Sequence, residues 1–104
     1  MSIQIRRVVI VVETINFDYL HQFISKPVEV SIQDEDGKER APFSRKEVDR
    51  IELCPDKTHL RIYFDQQKFF AIPVNSSVQI IGDDWLATDM SSQLTYVIRK
   101  ISES

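Results

Sequence analysis

Cysteine and glycine are almost missing from this 104-residue chain, which has one cysteine, Cys54, and two glycines, Gly37 and Gly82. A lone cysteine cannot close an internal disulfide, which favours a reducing compartment, so a cytoplasmic location is expected. Two isolated glycines cannot build a loop that cradles phosphates with successive backbone N–H groups. The G-x-G-x-x-G, P-loop, G-x-S-x-G, H-E-x-x-H and paired C-x-x-C motifs are all lacking, so neither an enzyme nor a cofactor or metal site is expected. Neither sign of charge is in large excess. With 13 basic and 16 acidic residues the formal net charge is -3, and no global basic field is available to hold a polyanion. Apolar runs are short as well. Residues 8–12 follow Arg6 and Arg7 and stop at Glu13, short of a signal-peptide core and far short of a membrane span, so no membrane association is expected. No repeat and no Pro/Gly/Ser linker divides the chain, which predicts a single domain over residues 1–104.

What is present suffices for a folded core. A hydrophobic share of 42% beside 28% charged residues is too apolar for a disordered chain. The stretch from 48 to 74 reads as three consecutive strands, VDRIELC, HLRIYF and FFAIPV, separated by PDKT and DQQ. Their register follows from parity, because opposite residues must share a face. Taking PDKT as a four-residue loop pairs Leu53 with Leu60, Ile51 with Ile62 and Glu52 with Arg61. Apolar then meets apolar on one face, and opposite charges meet on the other. An even second loop would strand Phe70 and Ile72 on the wrong face. A three-residue loop over 65–67 instead pairs Ile62 with Phe70 and Leu60 with Ile72, so an odd loop is predicted.

Around this meander the chain predicts further strands. Residues 3–13 are dense in β-branched side chains, and residues 27–33 alternate cleanly before the Asp36-Gly37 turn signal. A return strand is expected over 38–43, followed by at most one helical turn where Ser44 and Glu47 have capping-box spacing. Residues 78–81 and 85–88 read as short strands joined through Gly82. Phe17, Leu20, Phe23 and Ile24 fall at helical spacing, with Thr14 or Asn16 as the cap, which predicts a short helix near residues 16–24. Met90, Leu94, Val97, Ile98 and Ile101 share one helical stripe behind Asp89, which predicts a C-terminal helix over residues 90–101, although LTYVIRKI has strand composition. The fold class expected is α+β: a mainly antiparallel sheet, rolled or closed into a partly open barrel, with these two helices.

Four features bear on function. Cys54 and His59 face each other at the end of the first hairpin, where a nucleophile and base would also need a third group to orient the ring. Asp34, Asp36 and Gly37 imitate part of a calcium loop, but its alignment puts Ile32 and Phe43 at ligand positions, and the match fails. Asp83 and Asp84 immediately precede Trp85 in a segment, residues 69–98, that holds no Lys or Arg. Trp85 either anchors an acidic interaction patch or turns inward to cap the core. The outer face of the meander carries Arg50, Tyr63 and Phe69 in one row and Glu52, Arg61 and Ala71 in the next. This is too apolar a face for water alone, so either a helix of the same chain covers it or another molecule does.

These residues predict a non-enzymatic protein-interaction module, self-associating through the outer sheet face or an edge strand as a homo-oligomer. The competing reading is a nucleic-acid or anionic-surface binder that uses Arg40, Arg45, Lys46, Arg50 and Arg61 with Tyr63 and Phe69 as stacking groups. Glu47, Asp49 and Glu52 cancel most of that basic patch. A small enzyme or ligand pocket is the third.

Overall fold

The structure is a computed structural model and describes residues 15–34, 42–64 and 68–101. The strand expected over 3–13, the Asp36-Gly37 turn, residues 38–41 of the expected return strand and the loop 65–67 lie outside the described residues. Within them the order is helix α1 (Phe17–Leu20) with a 3-10 turn (His21–Phe23), then β1 (Pro27–Asp34), β2 (Ser44–Glu47), β3 (Arg50–Leu53), β4 (His59–Tyr63), β5 (Phe69–Pro73), β6 (Ser77–Ile81), β7 (Asp84–Asp89) and β8 (Leu94–Lys100). The strands form a five-stranded sheet ordered β2-β1-β8-β7-β6 and a three-stranded sheet ordered β3-β4-β5. Every ladder is antiparallel.

Two corners join the sheets. β2 runs on into β3 through Val48 and Asp49, and β5 runs on into β6 through residues 74–76. At the first corner the Asp49 N–H donates to the Tyr63 carbonyl at 2.7 Å, although Arg50 is the Cα partner of Tyr63. Two consecutive residues thus address one partner, which is the signature of a bulge and bends the strand out of one sheet into the other. Val48 is fully buried there and makes an isolated parallel bridge to Ile24.

One core cluster takes side chains from both sheets: Val28 and Val30 of β1, Trp85 and Ala87 of β7 and Ile98 of β8 meet Leu60, Ile62 and Ile72 of β4 and β5. The meander has the register that parity predicts. Leu53 pairs with Leu60, Ile51 with Ile62, Ile62 with Phe70 and Leu60 with Ile72. The Phe64 N–H donates to the Lys68 carbonyl at 2.9 Å, which closes the second turn around an odd loop.

The first helix is short because its signals are local. Asn16 Oδ1 accepts the Tyr19 N–H at 3.2 Å, a side-chain cap, and the segment ends before Ser25, whose φ is 66°. Leu20 and Phe23 point into the core cluster, so this element closes the space between the sheets and does not lie over the outer face of the meander.

Three expectations are corrected. The C-terminal helix over 90–101 is not formed: residues 94–100 are β8, the centre of the larger sheet between β1 and β7. Asp89 does organise a turn, its carboxylate accepting from the Ser91 N–H (3.1 Å) and the Ser92 hydroxyl (2.7 Å). That turn stops at Gln93, where φ is 62°. The cap signal was genuine but governs one turn only, and β8 then gains two strand partners, which outweighs helical propensity. The helical turn at 44–47 is also absent, because Ser44–Glu47 is β2 and pairs with Pro27–Val30 along β1. β2 begins at Ser44, and Pro42 and Phe43, the described part of the return strand expected over 38–43, are not in a strand.

Candidate interaction surface

The outer face of β3, β4 and β5 is built by the alternation that places Ile51, Ile62 and Phe70 toward the core. Arg50, Tyr63 and Phe69 are cross-strand neighbours there, as are Glu52, Arg61 and Ala71. The Tyr63 and Phe69 ring centroids lie 5.0 Å apart with planes at 38°. The Arg50 guanidinium carbon sits 3.9 Å from the Tyr63 centroid and that of Arg61 5.5 Å from the Phe69 centroid. In each stack the guanidinium is attracted to the negative face of the ring. Arg61 Nη1 donates to the Tyr63 hydroxyl at 3.4 Å. The result is a rigid aromatic and guanidinium plate held by its own cross-strand contacts. It is open to water: Phe69 is 43% exposed, and Ala71 and Glu52 are exposed too.

Arg50 is also neutralised within its own strand, donating from Nε to Glu52 (3.0 Å) and from Nη1 to Asp49 (3.2 Å). A guanidinium already engaged by two carboxylates and a ring has little free charge for a phosphate backbone.

Cys54 and His59 come together at the end of this sheet, the Cys54 N–H donating to the His59 carbonyl at 3.0 Å. They do not form a nucleophile and base. The thiol donates to the Asp56 carboxylate at 2.8 Å and accepts the His59 backbone N–H at 3.3 Å. The Thr58 hydroxyl donates to Asp56 at 2.7 Å and so accepts from His59 Nδ1 at 2.8 Å. Hydrogen bonds from Cys54 first, then from the Thr58 hydroxyl and N–H, hold the Asp56 carboxyl down at about 2 against an ordinary 3.8. The network fastens a tight turn whose Lys57 has φ 65°. A shallow depression of about 510 Å³ beside it is lined by Cys54, His59, Arg61 and Phe69 and is continuous with the outer plate.

The acidic candidates lie elsewhere. Trp85 is 1% exposed and belongs to the core, so of the two orientations weighed it takes the inward one and cannot anchor a partner. Asp84 is tied to Arg99 across β7 and β8, while Asp83 is exposed on the β6–β7 turn. The structure thus brings together Arg50, Arg61, Tyr63 and Phe69 on one surface and leaves Asp83, Asp84 and Trp85 on the other sheet.

Sequence reasoning missed three things. The Asp56-x-Thr58 spacing is itself an Asx-turn signal and would have explained the Cys54–His59 pair. Leu53, assigned to the core, is 38% exposed because β3 is an edge strand. A second depression, about 500 Å³, combines Val30, Phe64 and Phe70 with Lys46 and Lys68, which no spacing in the sequence joins. Among the described residues, no group of metal-ligating side chains forms a site, and no helix is long and apolar enough to cross a membrane. Compared with protein-family models, curated proteins and solved structures, the chain finds no match.

Proposed function

We propose that the chain is a non-enzymatic protein-interaction module of the cytoplasm, and that its three-stranded sheet is the contact surface for a second copy of the chain. The observation that carries this is the solvent-open plate of Arg50, Tyr63, Phe69 and Arg61, a preorganised set of aromatic and arginine side chains of the kind that dominates interface energetics. Little side-chain entropy is left to lose on docking, because these residues already restrain one another. The Cys54 thiol is engaged by the Asp56 carboxylate and the His59 ring by the Thr58 hydroxyl, so both serve the turn, which keeps the reading away from catalysis.

Sedimentation across low to high micromolar concentration tests it. Association that strengthens with concentration is expected, and a loss of about tenfold in Phe69→Ser or Arg61→Ala would put the contact on the face of the sheet. A strictly monomeric chain at high micromolar concentration would remove the self-association reading. The carboxylates around Arg50 also predict flow-through from a polyanion column at low salt, and salt-dependent retention would move the assignment to an anionic-surface binder.

A further inference from the structure

The direction of the backbone groups along β3 can be read from one hydrogen bond. Because the Cys54 N–H donates to the His59 carbonyl, Cys54 and His59 are a hydrogen-bonded pair, and Glu52 with Arg61 and Arg50 with Tyr63 continue that series. The N–H and C=O groups of Ile51 and Leu53 therefore point away from β4. The same parity holds on the far side: Phe64 to Lys68 and Val74 to Thr58 are bonded, so on β5 the odd residues face outward, and one of them is Pro73, which has no N–H. The β5 edge is blunted by a proline. Among the described residues the β3 edge has no such block, ends its sheet, and carries Ile51, half-buried, beside Leu53, 38% exposed.

We infer that β3 pairs antiparallel with β3 of a second copy, about a two-fold axis at Ile51, joining the two three-stranded sheets into one of six strands. This rests on the self-association reading above and names its geometry. Register decides in its favour. With Ile51 opposite Ile51, Arg50 falls opposite Glu52 and Glu52 opposite Arg50, so each ion pair now made within a strand is re-formed between strands at the closer, non-hydrogen-bonded positions. Leu53 falls opposite the backbone of the bulged Asp49 of the other copy and diagonal to its Ile51, which covers part of its exposed surface. Shifting the register by two residues instead sets Glu52 against Glu52, and shifting by one puts apolar against charged side chains on opposite faces. On the outer surface Glu52 then lies between its own Arg61 and the second copy's Arg50, and the two aromatic plates become one continuous surface. Strand β6 has an edge of its own but no charged residue to select a register. A contact of one four-residue strand is small, which sets the expected affinity in the micromolar range.

Charge reversal in the full chain tests the register. Glu52→Arg and Arg50→Glu should each weaken association in sedimentation about tenfold, and the double variant should recover to within about threefold of the original. Ile51→Pro removes an N–H that β4 does not use, so it should abolish association while circular dichroism stays unchanged. Amide exchange at Ile51 and Leu53 should slow as concentration rises. Association that survives all three variants but is lost in Phe69→Ser would overturn edge pairing and leave the interaction module standing through its face. Absence of any association would overturn both. Slow exchange at Ile51 that does not vary with concentration would show the edge covered by the chain itself and overturn the pairing, and Glu52→Gln serves as the milder variant if Glu52→Arg fails to fold.

Discussion

Arg99 holds Asp84 with two parallel hydrogen bonds across β7 and β8, Nε to Oδ1 at 2.8 Å and Nη2 to Oδ2 at 3.1 Å. The same guanidinium lies 4.1 Å from the centroid of the Phe43 ring. One arginine from the last strand thus neutralises a carboxylate that composition alone places in an acidic stretch.

Asp84→Asn should destabilise the fold by about 0.5–1 kcal/mol, since the pair is partly exposed and only its two-pronged geometry lifts it above an ordinary surface ion pair. Urea unfolding at low and at high salt measures it. The difference between the two proteins should shrink in high salt as the charges are screened.

Asp56 predicts a pH dependence with a definite sign. Its carboxyl titrates at about 2 in the folded chain against 3.8 ordinarily, so the folded state resists protonation more than the unfolded state does. The stability this confers is complete above about pH 4 and drains away as the pH falls toward 2. The carboxyl carbon resonance of Asp56 should titrate with its midpoint near 2, and Asp56→Asn should flatten the stability profile between 4 and 2. A midpoint near 3.8 would mean that the turn network is not formed in solution.

Gly82 has φ 60°, and a Cβ built on it would meet nothing within 4 Å. It is the first central residue of the two-residue turn between Ile81 and Asp84, the position that a II′ hairpin reserves for glycine. Gly82→Ala should therefore cost about 1 kcal/mol through backbone strain alone. Gly82→Asn should cost a similar amount in the same denaturant series, because the negative ψ of a II′ turn at this position lies outside the left-handed region that asparagine tolerates.

Ser76, at the corner between β5 and β6, is 1% exposed, and its hydroxyl has no hydrogen-bond partner among the described residues. Ser76→Ala should raise stability by about 1 kcal/mol by removing an unsatisfied buried group. A fall in the thermal midpoint would show that the hydroxyl is bonded after all.

Much of the smaller sheet was legible because its constraint is arithmetic. Ile51, Leu60, Ile62, Phe70 and Ile72 can share one face only with an even first loop and an odd second one, and the structure has that combination. The larger sheet was less legible because its strands answer to partners far away in the chain. Nothing near Leu94 announces that β8 will be flanked by β1 and β7, while the Asp89 cap is local and visible. Ser44 and Glu47 misled in the same way, a local cap pattern set against pairing with β1. At the candidate surface, Arg50, Tyr63, Phe69 and Arg61 followed from register, whereas the openness of the β3 edge did not. Sequence periodicity tells which face a residue takes and is silent on which strand lies last in a sheet.

The two corners at Val48 and Ser76 have a bearing on how the chain comes apart. Because β2 continues into β3 and β5 into β6, neither sheet can be peeled away without pulling on an edge strand of the other, so both should lose their slowest-exchanging amides in one cooperative event. Most ladders join strands that are neighbours in sequence, and β1 with β8 is the long-range exception. Bringing these two together carries the largest loop-closure cost, which predicts that the β1–β8 ladder forms late in folding.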